Sequence, residues 1–318
     1  MSPLPAWLQT PSPTLGLELD AHRVTAVLID RHATPPLIRA SASVPLPPGA
    51  ILPSLTAANI PGREQAVRAV REVVDQVGGR QRRVALVIPD TAAKVSLLPF
   101  EQVPSSPRDL EQLIRLQLRK TVPFPLEQAQ VSWAGGPVTG AGATFAVAAM
   151  RRAIVEEYEG VCAAAGLHAG AVDLSTFNVV NVVLLADAAS QPPPGDWLLV
   201  HVTPGYASIV IVRNGEIIFF RTRRADADEP VPDVVHQTRM FYEDRLTGQG
   251  FSRVLLAGGS DVADRAALVR EIESRLDARV TALTLAGVAT FGDRIGATDQ
   301  VLSQVVAPAG LVLREGHP

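Results

Sequence analysis

The sequence predicts an α/β protein in which one run of strands and helices is used twice, and two observations carry that reading. The first is order. TLGLEL (14–19), VTAVLID (24–30) and LIRASASV (37–44) alternate or run apolar like three successive strands. A helix follows at Glu64–Val77 with Val67, Val70, Val74 and Val77 on one stripe, and RVALVIP (83–89) then reads as a buried strand. The second half repeats this order with DWLLVHV, ASIVIVR and EIIFFRTR, a helix near Pro232–Leu246, the strand RVLLA and a helix after Gly259. Asn214-Gly215 between the second and third strands is a two-residue hairpin signal. The second observation is a boundary, AASQPPPGD (188–196), whose three prolines suit a linker. The halves therefore divide as 1–190 and 191–318, with the C-terminal segment expected to return to the first half.

Strand, strand, strand, helix, strand, helix in duplicate is the layout of the duplicated actin-like (ribonuclease H-like) fold, two halves around a cleft. An insert at about 91–167 interrupts the first half. It carries KVSLLPF, a helix at Pro107–Thr121, the strands QAQVSWA and TFAVAAM, and a helix at Arg152–Ala165. Ser106 is placed to cap the first of these helices, with Pro107 at its first position and Asp109 in its first turn. Leu110, Leu113, Ile114 and Leu118 form its apolar face. The second helix buries Ile154, Val155, Tyr158, Val161 and Cys162 and stops at Gly166. The insert is thus a small α+β subdomain with a core of its own.

Composition excludes several classes of function. A chain of 318 residues, 47% hydrophobic, can bury a large core, and a net charge of −3 supplies no basic field for nucleic acid. Of the 29 basic residues all but Lys94 and Lys120 are arginine, so few lysines are available to hold a phosphate. Cys162 is the only cysteine, which excludes an intramolecular disulfide and a cysteine-based zinc site. No apolar run reaches membrane-spanning length, and MSPLPAWLQTPSP lacks the regions of a signal peptide. A soluble cytoplasmic protein without direct membrane insertion is expected, its proline-rich start through Pro13 a flexible leader. APAGLVLREGHP (307–318) is too short and too weakly basic for an amphipathic membrane helix.

The candidate chemistry lies at three turns. VLLAGGSDVADRAALV (254–269) reads as a buried strand, a turn on Gly258 and Gly259 and a helix. Such glycines let a backbone approach an adenosine, or simply let the helix start close to the sheet with Ser260 or Asp261 as its cap. The two hairpins that would hold phosphates are LELDAHRVTAV and LVHVTPGYASIVIV. Actin-like ATPases use an acidic residue and a glycine there, one to orient magnesium and the other to turn backbone amides toward phosphate. Glu18 keeps the acidic position, but Asp20 stands at the glycine position. In the second hairpin His201 holds the acidic position, Thr203 the glycine position, and Tyr206 fills space usually left open; only Gly205 suits a close approach. ATP with magnesium is the one cofactor this pattern leaves open, in a cleft of Glu18, Asp20, Thr203, Gly205, Gly258, Gly259 and Ser260, and hydrolysis is expected to be negligible. Gly-rich GGPVTGAGAT (135–144) lacks the Lys-Ser or Lys-Thr of a P-loop, no histidine pair has metal-binding spacing, and no serine elbow is present. Cys162 on its core stripe reads as a buried hydrophobe.

The third turn is QLRKTVPFPLEQAQVSW (117–133). A helix ends and Val122-Pro123-Phe124-Pro125 presents stiff apolar residues, which suits a docking surface as well as it suits a rigid core-filling turn. With Leu113 and Leu116 on the preceding helix, these residues are the candidate partner-binding set, where a strand-like apolar peptide would lie.

These stretches, together with FAVAAMRRAIVEEYEGVCAAAGLHAGAVDLSTFNVVN and LLVHVTPGYASIVIVRNGEIIFFR, resemble the PilM family of type IV pilus assembly proteins. They run in the family's order over most of the chain, and the helix-to-VPFP and AAGLHAGAVDLSTF segments are the most specific. The fold implied is similar also to the division protein FtsA and the cytoplasmic part of GspL. The resemblance implies a scaffold at the cytoplasmic face of the inner membrane. It would bind the N-terminal peptide of a PilN-like bitopic membrane protein in a groove between the first subdomain and the insert. It also implies contacts with pilus motor ATPases and an ATP site between the halves; self-association stays open. An active actin-like ATPase or an FtsA-like division protein are the alternatives, the first opposed by the two hairpins and the second by the C-terminal segment.

Overall fold

The computed structural model describes residues 12–78, 80–135, 142–260, 264–292, 295–296 and 298–314. In the first half, β1 (Leu15–Leu19), β2 (Arg23–Asp30) and β3 (Leu37–Pro45) precede α1 (Arg63–Gln76) and β4 (Arg83–Ile88). The insert comprises β5 (Lys94–Phe100), α2 (Pro107–Leu118), β6 (Ala129–Gly135), β7 (Ala143–Arg151) and α3 (Arg152–Ala164). β8 (His168–Leu174) and α4 (Ser175–Ala189) lead to the second half. That half holds β9 (Trp197–Val202), β10 (Tyr206–Arg213), β11 (Glu216–Arg224), α5 (Val231–Arg245), β12 (Arg253–Gly258), α6 (Arg265–Leu276) and β13 (Val280–Ala282). β14 (Thr290–Phe291) and α7 (Asp299–Arg314) follow.

Three sheets result. One has the order β14-β3-β2-β1-β4-β8, another β11-β10-β9-β12-β13, and the insert sheet β5-β7-β6. In both large sheets an antiparallel meander of three strands meets parallel strands at its first member, β1 beside β4 and β9 beside β12. β14, from the sequence of the second half, pairs in parallel with β3 of the first-half sheet. Strand alternation then sorts the side chains of β1. Leu15, Leu17 and Leu19 enter the core under α1 and α3, whereas Gly16 lies against α7 and Glu18 faces the space between the halves.

The local signals act as the sequence reading expects at several turns. Ser106 accepts the Asp109 N–H at the start of α2, and Asn214 and Gly215 take positive φ of 53° and 82° in the β10–β11 hairpin. Two expectations are corrected. α2 ends at Leu118 rather than Thr121, where the N–H groups of Lys120 and Thr121 bond three residues back, to the Gln117 and Leu118 carbonyls, and tighten the chain into a turn. α6 begins only at Arg265, capped by Asp264, whose carboxylate accepts the Ala267 N–H at 2.7 Å; Ser260 is no cap and Asp261 lies outside the described residues. The proline-rich start as far as residue 11 and most of the 135–144 loop also lie outside them.

α7 is the central element. Every residue from Val305 to Leu313 is buried, and the helix packs on β1, β2 and β4 on one side and on α4 on another. At two points in this side-chain packing the backbones themselves approach closely. A Cβ on Gly16 would stand 2.5 Å from the Pro308 carbonyl oxygen, and one on Gly310 would stand 2.1 Å from the Asn178 carbonyl oxygen of α4. Gly310→Ala is therefore expected to destabilise the protein by at least the ~1–3 kcal/mol typical of overpacking. Gly205→Ala, where nothing lies within 4 Å of the added carbon, is the control. Urea unfolding midpoints of the two variants compare them directly, and equal midpoints would show that α7 and α4 can separate at no cost.

Candidate functional site

The cleft between the halves is built from hairpin tips and one glycine turn. Glu18, Asp20, Thr203, Gly258, Gly259 and Ser260 line it together with Arg23, His201 and Gln304. Gly205 does not join them; it borders a separate hollow with Pro48, Leu52 and Arg224 on another side of the same hairpin. The cleft encloses about 50 Å³, against the ~300–1,000 Å³ usual for a small-molecule site.

The residues that stand where glycine is expected each accept an amide of their own hairpin. Asp20 accepts the His22 N–H at 3.0 Å, closing the first hairpin on itself. Thr203 Oγ1 accepts the Tyr206 N–H at 3.1 Å, while the Thr203 N–H donates to the Tyr206 carbonyl at 2.8 Å. Both loops thus satisfy their own donors with side chains, as Asx and Ser/Thr turns do. The glycine turn has an equally local explanation. Gly258 and Gly259 both have φ of 72°, the Gly259 N–H donates to the Val202 carbonyl at 2.9 Å, and a Cβ on Gly258 would stand 2.1 Å from that same oxygen. Ser260 Oγ receives a hydrogen bond from Ser303 of α7 at 2.7 Å. The turn therefore joins β9, β12 and α7.

Beneath the hairpins lies a buried polar cluster. Asp90, just after β4, accepts from the Thr176 N–H at 3.0 Å, from the Thr176 hydroxyl and from the Ser208 hydroxyl at 2.6 Å. Thr176 Oγ1 also lies 2.7 Å from His201 Nδ1, and Ser175 Oγ donates to Glu18 at 2.7 Å. Tyr206 stands edge-on to the His201 ring rather than open to the cleft. Burial, then the nearby Asp20, pushes Glu18 up to about 8, and burial likewise raises Asp20 and Asp90. Burial holds His201 down to about 4, so its ring is neutral.

A second concavity, of about 630 Å³, lies beside the insert. Its walls are Ser132–Gly135 of β6 with Thr144, Ala146 and Ala148 of β7, then Val172 and Asp173 of β8, Phe177, Val180, Asn181 and Leu184 of α4, and the 214–217 hairpin of the second half. Arg314 pairs with Asp173 at its floor. None of Leu113, Leu116, Val122, Pro123, Phe124 and Pro125, read from the sequence as a partner-binding set, lines this groove. The insert sheet has two faces, and Val131, Phe145, Val147 and Ala149 alternate onto the one covered by Ile114 and Leu118 of α2. Leu113, Val122 and Phe124 pack partly into that core, while Leu116 stands 59% exposed.

Comparison with known proteins now decides the family. The family model described as "Type IV pilus assembly protein PilM" matches residues 16–244. The chain belongs to the PilM family. A chain of the PilM–PilN type IV pilus biogenesis complex superposes with a TM-score of 0.80 at 18% identity, over 97% of this chain and 100% of that one. The cytoplasmic domain of EpsL, an inner-membrane component of the type II secretion system of Vibrio cholerae, gives a TM-score of 0.50 at 10% identity, over 95% and 93%. At these identities the two structures establish the shared actin-like fold. No curated protein matches in sequence. Among the described residues of this PilM-family chain, no helix is long and apolar enough to cross a membrane.

The acids of the cleft should set its pH response. Glu18 keeps, up to about pH 8, a proton that the unfolded chain releases near 4.5, so its contribution to stability falls as pH rises through that window. His201 acts oppositely below its unfolded value of 6.5, where the unfolded ring takes a proton that the folded ring refuses until about pH 4. Above pH 6.5 the His201 effect is spent. Glu18→Gln is therefore expected to flatten the decline of stability from pH 6.5 to 8, read from urea midpoints. A slope identical to wild type would mean that Glu18 is already ionised in the folded state.

Proposed function

We propose that this PilM-family protein is a cytoplasmic scaffold of a type IV pilus inner-membrane assembly platform. In this reading it captures the N-terminal peptide of a PilN-like bitopic membrane protein and reaches the membrane through that partner. The observation that carries the reading is the groove beside the insert. Its volume suits an extended segment, its walls combine Ala134, Ala146, Ala148, Phe177, Val180 and Leu184 with the Asp173–Arg314 pair, and three parts of the chain contribute to it. β6 ends the insert sheet and pairs only with β7 among the described residues, so its outer edge can accept a peptide backbone while alternate side chains enter the groove. The pilus motor ATPases are further partners in this reading.

The nucleotide cleft is read as degenerate. Its hairpin amides are taken up by Asp20 and Thr203, and the position expected to hold an acidic magnesium partner is a buried neutral histidine. Titration calorimetry with ATP and magnesium should show weak binding without appreciable phosphate release. Micromolar binding with steady turnover would instead support the reading of an active ATPase.

A second docking reading rests on the exposure of Leu116, which leaves the outer face of α2 and the Val122–Pro125 turn available. One set of variants separates the two. Ala146→Arg, which places a long cation in the groove, should weaken binding of the partner's N-terminal peptide at least about tenfold, the effect of ~1.4 kcal/mol. Leu116→Ala and Phe124→Ala should leave peptide affinity unchanged, the latter lowering thermal stability through its packing on the insert core. Fluorescence anisotropy with the peptide measures the affinities. The opposite pattern would move the site to α2.

A further inference from the structure

We propose that Asp90, Thr176, Ser208 and His201 form a polar latch that holds the two halves in one closed relation without nucleotide. Proteins of two halves around a cleft commonly close when a ligand touches both sides. Here side chains already make that bridge. Asp90 and Thr176 belong to the first half, Ser208 and His201 to the second, and all four are buried. Two separate links cross the divide: Ser208 Oγ to Asp90 at 2.6 Å, and His201 Nδ1 to Thr176 Oγ1 at 2.7 Å.

The direction of the hydrogen bonds follows from counting protons. Thr176 Oγ1 has one, and it is donated to Asp90, so the contact with His201 is filled by a proton on Nδ1. Ser208 also donates its proton to Asp90, so Thr222 Oγ1, 2.9 Å away, donates to Ser208. The chain runs from Thr222 through Ser208 to Asp90 and from His201 through Thr176 to the same carboxylate. Every donor points at one acceptor, which is the condition for keeping such groups buried. An acidic residue at position 201 could not donate to Thr176 and would set a second carboxylate near Asp90. Histidine at this position is therefore what lets the bridge form. The Phe177 and Phe220 rings, 5.3 Å apart, and the Arg253–Asp187 ion pair at 2.7 Å add contacts along the same seam.

The test uses spin labels on Arg68→Cys in α1 and Glu271→Cys in α6, both exposed, while the native Cys162 is buried and stays unlabelled. Distances between labels are read by double electron–electron resonance without nucleotide. The otherwise wild-type protein should show a single narrow distribution, and His201→Asn, whose amide can replace the Nδ1 donor, should keep it. His201→Asp should broaden or lengthen it, and so should Thr176→Val with Ser208→Ala, which tests the same point should the aspartate variant fail to fold. The latch is overturned if the unaltered latch gives several distances, if a folded broken-latch protein keeps the narrow distribution, or if His201→Asn broadens as far as His201→Asp. None of these outcomes depends on whether the groove binds a peptide.

Discussion

The structure depends on the close backbone contacts of one helix with a strand and with a second helix. α7 lies on the first-half sheet and against α4, and at both contacts the space is set by a glycine, Gly16 beneath Pro308 and Gly310 beneath Asn178. With side chains at these positions the helix would stand farther from the sheet, and the apolar layer from Val305 to Leu313 would lose its fit. α4, fixed by this crossing, in turn places Ser175 and Thr176 at the cleft and Phe177, Val180, Asn181 and Leu184 in the groove. The same helix therefore positions parts of both candidate sites.

The cleft shows how hairpin tips can satisfy their own polar groups. Asp20 and Thr203 stand where glycine is expected, and each turns inward to bond the amide of its own turn. His201, where a carboxylate is expected, finds a hydroxyl partner in Thr176. These groups satisfy one another, and buried polar groups are stable only when so paired.

Much of the fold is legible in the sequence because its signals are local. The strands of the two meanders alternate or run apolar, Asn214-Gly215 specifies its turn, and Ser106 with Pro107 marks the start of α2. Short β13 and β14 carry no comparable signal, and pairing of β14 with β3 joins residues over 250 positions apart. The cleft is legible in part: Glu18, Asp20, Thr203, Gly258, Gly259 and Ser260 come together, whereas Gly205 faces elsewhere. The groove escapes sequence reasoning for a definite reason. Alternation in β6 and β7 identifies which residues share a face, but the apolar face of α2 already claims Val131, Phe145 and Val147. The small residues Ser132, Ala134, Ala146 and Ala148 on the other face give no hydrophobic signal, and their value comes only from α4 standing opposite.

The burial of α7 also bears on synthesis. The sheet that opens at Leu15 cannot cover its second face until Asp299–Arg314 has left the ribosome. At translation rates of roughly 5–20 residues per second, the stretch from the end of α3 at Ala164 to the end of α7 takes about 8–30 s. Through it Val27, Ile29 and Val87 remain uncovered on a sheet whose other face is already complete under α1 and α3. The nascent chain thus presents an apolar surface for much longer than it takes a helix or hairpin to form.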